Sequence, residues 1–183
     1  PLVEEPTPER LRAALEGHGV VTVGTVFRGD KLSGAGTPEE LRRAADVVLV
    51  EADGAKRLPL KAPAEYEPVI PPCADAVAAV AGMDAVGQAV GAVCHRPERV
   101  CALLGAGAEH VLTPEDVALL LANPQGGRKG VGKAMAFRCV LNKADTPERA
   151  AHASAVAGRL AERGIHSAIT YYREEERGGL CWF

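Results

Sequence analysis

Aromatic residues are scarce in this chain, at 4% of 183 residues. So few rings argue against a stacking surface for single-stranded nucleic acid. Positive charge is not in excess either: the net charge is -3, which leaves no footprint for duplex binding. The five cysteines, Cys73, Cys94, Cys101, Cys139 and Cys181, form an odd set without a C-x-x-C pair. A reduced, cytoplasmic protein is the simplest inference. No long apolar run is available for a membrane span, because the most apolar stretch, Ala74 to Val93, contains Asp75, Asp84 and Gln88. The chain opens at Pro1 without a methionine, and a trimmed N-terminus is expected. Cys94, His95, Cys101 and His110 match no zinc spacing. Ser33 and His18 lack a third partner for a hydrolase triad.

What is present is 47% apolar and rich in Ala, Val and Gly, with a length that fits one domain. A chain of this size buries roughly 70% of its unfolded surface. Its organising stretch is Asp46 to Lys61, DVVLVEADGAKRLPLK. Val47 to Val50 read as a strand buried on both faces. Glu51 and Asp53 then stand at its C-terminal end and Gly54 breaks it. In open α/β sheets that edge binds ligands. Lys56, Arg57 and Lys61 follow at once. A carboxylate able to hold Mg²⁺ beside cations able to hold phosphate is the layout of a nucleotide site. The alternative is an exposed acidic turn followed by a solvated basic loop.

Thr-Pro-Glu occurs at Thr7, Thr37, Thr113 and Thr146. Each time Thr can cap, Pro can take the first helical position, and Glu can face the helix dipole. Glu40 completes a capping box at Thr37. Helices are expected over Pro8–Glu16, Pro38–Ala45, Pro97–Leu104, Pro114–Leu121 and Pro147–Arg163. Strands are expected over Val20–Phe27, Val47–Val50, Ala76–Ala81, Ala136–Leu141 and Ile165–Tyr172. Arg28–Gly36 and the five-proline stretch Leu58–Pro72 read as loops, and Arg173–Arg177 as a solvated face. Strands separated by helices imply parallel β/α units. The expected fold is a three-layer α/β domain, a mostly parallel sheet with helices on both faces.

Two motifs carry chemistry. Asn142-Lys143-Ala144-Asp145 follows a strand and precedes a helix, as in the N-K-x-D guanine-recognition motif of GTP-binding proteins. In that motif the Asp carboxylate accepts two hydrogen bonds from guanine, the Lys stem covers the base, and Asn braces the loop. A polar turn capped by Asp145 or Thr146 is the alternative. Gly127 to Ala134 nearly spells a P-loop, but Ala134 lacks the Mg²⁺-binding hydroxyl. A helix also precedes that loop and a strand follows it, the reverse of what phosphate binding needs. Arg128 and Lys129 remain as cations that could touch an anionic ligand.

Glu51 to Pro63, Glu67 to Pro71, His95-Arg96-Pro97-Glu98, Thr113 to Asp116, Gly126 to Gly130 and Leu141 to Asp145 form an ordered set. It resembles the selenium-dependent hydroxylase accessory protein family. The resemblance implies a P-loop-NTPase-like fold and a role in maturing selenium-dependent molybdenum hydroxylases, with such a hydroxylase as partner. By position it implies Glu51, Asp53 and Gly54 as the acidic strand end, with Glu51 and Asp53 in the chemistry and Asp53 on Mg²⁺. Lys56, Arg57 and Lys61 become the basic segment, and Asn142, Lys143 and Asp145 the base loop. The ligand is then GTP or ATP with Mg²⁺. The family normally opens with a strand, a Gly-rich loop ending in Lys-Thr and a helix, none of which precedes Pro1 here. The expected domain is therefore one α/β unit over residues 1–183 lacking that opening. An interaction protein that kept the fold without nucleotide is one alternative. A transferase acting on a nucleotide-linked cofactor or activated selenium is another, with Cys73 as the thiol to test.

Overall fold

The structure is a computed structural model that describes residues 1–27, 31–172 and 179–182. Contacts within the chain divide it into two compact units, Pro1–Val50 and Glu51–Phe183. It is mixed α/β, with small, mostly parallel sheets.

In the first unit, β1 (Leu2–Val3) pairs in parallel with β2 (Thr22–Val23), and α1 (Pro8–His18) lies between them in sequence. The single strand expected over Val20–Phe27 is interrupted at Gly24. There a side chain would come within 2.9 Å of the Ser33 carbonyl oxygen. Beyond it, β3 (Thr25–Phe27) forms an antiparallel pair with β4 (Lys31–Ser33), so part of the expected loop is strand. α2 spans Pro38–Arg42.

Val47–Val50 is not a buried strand. It has no strand assignment, and Val47, Leu49 and Val50 are 73%, 92% and 47% exposed. A strand needs a neighbour for its backbone groups as well as an apolar pattern. Among the described residues this segment has none.

The second unit holds β5 (Leu60–Lys61), β6 (Ala76–Gly82), α3 (Val90–Val93) and β7 (Cys94–His95). It continues with α4 (Pro97–Leu104), α5 (Pro114–Ala122), β8 (Ala136–Asn142), α6 (Pro147–Ala161), β9 (Ser167–Tyr171) and β10 (Gly179–Trp182). The main sheet runs β10-β9-β8-β6; β6, β8 and β9 are parallel and β10 is antiparallel. β5 and β7 form a separate parallel pair. The expected tail Arg173–Arg177 lies outside the described residues.

All four Thr-Pro-Glu sites start helices, and each Thr hydroxyl accepts from the amide three residues on. Thr113 and Asp116 form a second capping box. α5 and α6 pack together, and Arg159 and Arg163 of the α6 end reach Glu115 at 3.0 and 2.5 Å. Ala81, Phe137, Cys139 and Leu141 join the buried core with both helices. The alternate residues of β6 and β8, Ala76, Ala78, Val80, Ala136 and Arg138, are exposed. Helices on both faces were expected; over β6 and β8 one face is covered and the other is open. No helix among the described residues is long and apolar enough to cross a membrane.

Candidate functional site

The C-terminal ends of β6 and β8 lie side by side, with Gly82 in register with Asn142. The Gly82 amide donates to the Pro59 carbonyl at 2.8 Å. Pro59 sits between Arg57 and Lys61 in sequence, so the basic segment passes the same sheet end as the Asn142 turn. Gly82 permits this approach: a Cβ there would stand 2.8 Å from the Pro59 Cβ and overlap the Asp84 carboxylate.

The Asn142–Asp145 turn is braced on β9. The Asn142 Oδ1 accepts from the Thr170 hydroxyl and the Lys143 amide, both at 2.8 Å. The Ala144 amide donates to the Thr170 carbonyl at 3.1 Å. The Tyr172 amide donates to Asp145 Oδ1 at 2.8 Å, and Arg149 lies 3.8 Å from Oδ2. The Lys143 ammonium donates to Asp84 Oδ2 at 2.7 Å, while the buried Oδ1 of Asp84 has no partner.

Asp53, Glu67 and Arg96 form a network around Lys61 of the other segment. Its ammonium donates to the Gly54 carbonyl at 2.8 Å and to Glu67 at 2.9 Å, and it pairs with Asp53 at 3.0 Å. Arg96 grips both oxygens of Glu67, at 2.7 and 2.9 Å, in the bidentate form that a guanidinium allows. Burial alone would raise the Glu67 carboxyl. The hydrogen bonds from Arg96, Lys61 and the Ala64 amide outweigh it and hold the group at about 2. His95 faces Lys61 in the β5–β7 register. Burial, and then the charges of Arg96, Lys56 and Lys61, hold its ring below the ordinary histidine range, and Glu67 opposes them. Its buried Nδ1 has no partner.

Lys56 and Arg57 make no ion pair among the described residues, and neither does Glu51, which is exposed. Among the described residues, Lys56, Arg57, Arg96 and Lys143 are the non-glycine residues with left-handed backbone, at φ of 50°, 64°, 59° and 62°. Each such residue costs about 1 kcal/mol or more. All four are cations: Lys56 and Arg57 lie in the basic segment, Lys143 in the Asn142 turn, and Arg96 is the residue that grips Glu67.

Three side chains that sequence reasoning did not select, Glu67, Arg96 and Asp84, carry most of the ion pairing here. Arg96 and Glu67 did belong to the ordered set of motifs, but nothing in their spacing paired them. Conversely, Arg128 and Lys129 are occupied. The Lys129 ammonium donates to the Ala64 and Glu65 carbonyls, and Arg128 stacks 5.3 Å from the Phe137 ring centre. Glycine lets this loop fold back on α5, since a Cβ on Gly127 would lie 2.6 Å from the Leu121 carbonyl oxygen. Cys94 and Cys139 are buried, which pushes their thiols up to about 11 and about 12 and keeps them protonated.

No cluster of three His, Cys, Asp or Glu side chains able to hold a metal exists among the described residues. Two clefts lie away from this site. One of about 330 Å³ is lined by Glu98, Arg99, Ala102, Leu103 and Gln125. The other, of about 680 Å³, lies along β1 and α1.

No solved structure matches the chain. A curated relative, the uncharacterized protein YqeC of Escherichia coli (strain K12), is 38% identical over 101 residues. The match covers 52% of this chain and 40% of the relative, so the chain spans well under two thirds of that protein's length. The family model described as YqeC protein matches residues 2–98, more than half of the chain. That span includes Asp53, Lys61, Glu67 and Arg96 and ends before the Asn142 turn. The chain belongs to the YqeC protein family.

Proposed function

We propose that this chain is the nucleotide-binding part of an accessory factor that matures selenium-dependent molybdenum hydroxylases, with a P-loop-NTPase-like arrangement at its sheet edge. The observation that carries the nucleotide reading is the meeting of the Lys56–Lys61 segment and the Asn142–Asp145 turn at one end of β6 and β8. Ligands of parallel sheets bind at that end. In this reading Lys56 and Arg57, cationic and unpaired, take the phosphates. Lys143 covers the base, Asn142 braces the turn, and Asp145 accepts from guanine. Lys61 and Asp53 fix the Gly54 turn, and Glu51 is the carboxylate free to orient water.

Calorimetric titration of the full-length protein with Mg²⁺-GTP and Mg²⁺-ATP tests the reading. A carboxylate that reads two donors discriminates by about 1–3 kcal/mol, so GTP is expected to bind about tenfold or more tightly. Asp145→Ala should bring GTP down to the level of ATP. Binding of neither nucleotide, or GTP affinity untouched by Asp145→Ala, overturns it. The maturation role is read from the selenium content of a hydroxylase purified from cells carrying Asp145→Ala, which should fall.

A docking protein without nucleotide is the second reading, favoured by the exposed apolar run Val47–Val50. It calls for association with the hydroxylase that ignores nucleotide and Asp145→Ala but is lost with Leu49→Asp.

A further inference from the structure

The nucleotide reading leaves open where a metal would sit, and the obvious place is Asp53. Its carboxylate belongs to a cage of three oxygens: Asp53 Oδ2, the Gly54 carbonyl and Glu67 Oε2. Glu51 is close by, its Oε1 lying 4.0 Å from where a Cβ on Gly54 would stand. Two carboxylates and a carbonyl are the hard donor set that Ca²⁺, Mg²⁺ or Mn²⁺ takes. The cage is filled by the Lys61 ammonium. An ammonium has three N–H donors, and here three acceptors surround it at 2.8 to 3.0 Å. Those are hydrogen-bond lengths, longer than the roughly 2.0 to 2.6 Å of metal–oxygen bonds. The Lys61 side chain is only 13% exposed, so it is held rather than resting on the surface.

We propose that this oxygen cage is closed to divalent cations by the chain's own Lys61, which supplies a fixed ammonium where a metal on Asp53 would otherwise stand. This deepens the nucleotide reading in one respect: any metal accompanying the phosphates stays on the ligand and is not bound by Asp53. The ammonium also does for the loop what a metal would do. It neutralises Asp53 and shares Glu67 with Arg96, and it ties the Gly54 turn to β5 across the adjacent, unpaired Lys56 and Arg57. Removing the lysine charge leaves two partly buried carboxylates facing one guanidinium. A cation from solution is then the most direct replacement.

The test uses Mn²⁺ as probe, read by the loss of its free-ion paramagnetic resonance signal, on the full-length protein without nucleotide. Wild type should show no Mn²⁺ binding that Asp53→Asn removes. Lys61→Met should gain a site about tenfold or more tighter than anything in wild type, and adding Asp53→Asn should abolish it. Mn²⁺ should also raise the melting temperature of Lys61→Met and not of wild type. Lys61→Gln, polar and uncharged, goes through the same titration should the Met variant fail to fold. Wild-type Mn²⁺ binding that disappears with Asp53→Asn overturns the proposal, as does a folded Lys61 variant with no gain. No nucleotide is present, so a failure of nucleotide binding and a failure of this proposal are read separately.

Discussion

Glu67 receives hydrogen bonds from Arg96, Lys61 and the Ala64 amide, which hold its folded carboxyl down at about 2, below the ordinary 4.5. The unfolded chain therefore takes up a proton first as pH falls. Its contribution to stability is complete above pH 4.5 and is lost as pH drops toward 2. Glu67→Gln is expected to flatten that part of the curve of urea midpoint against pH; a slope equal to wild type would contradict the network. Arg96→Ala should cost about 2 kcal/mol at neutral pH, the range for a hydrogen bond to a charged group. Arg96→Lys should recover only part, because an ammonium lacks the fork that holds both oxygens. At this scale the sequence disclosed charge but not partners. Lys61 read as a phosphate ligand, and the structure turns it toward Asp53 and Glu67. Glu67 and Arg96 lie 29 residues apart, and no periodicity links residues across two loops.

Elements whose signals are local were legible. The four Thr-Pro-Glu helix starts hold because a cap depends on its own first turn. Val47–Val50 misled because burial is not local: β-branched residues make a strand only beside another strand. Val20–Phe27 misled for a smaller reason, Gly24 closing against Ser33. β6 and β8 were placed within a residue, and their shared end is where an element-scale test belongs. Gly82→Ala would press a methyl against Pro59 and Asp84. The expected cost is about 1–3 kcal/mol, the usual range for overpacking. Nucleotide affinity should fall further than Asp145→Ala alone explains, since Asp84 also holds Lys143. A Gly82→Ala protein with unchanged melting temperature and affinity would show that the contact between Pro59 and Gly82 is dispensable.

Across the molecule, the large buried cluster lies within the second unit, from Leu60 to Ile169. A fragment of residues 51–183 should therefore unfold in one cooperative transition by circular dichroism; a gradual, uncooperative melt would mean that the core needs residues 1–50. Alternation of apolar strands with capped helices was enough to read a mostly parallel α/β chain. The open face of β6 and β8 was not readable, because Ala76, Ala78 and Val80 are as apolar as their buried neighbours. The match to the family over residues 2–98 stops short of Asn142, so the family likeness does not reach the turn proposed to read the base.

The Asp145 carboxylate already has one occupant, the Tyr172 amide hydrogen at 2.8 Å from Oδ1. A guanine that claims both oxygens must loosen that grip. Deuterium should then enter the Tyr172 amide faster with GTP than with ATP, so a single peptide hydrogen would report which base has arrived.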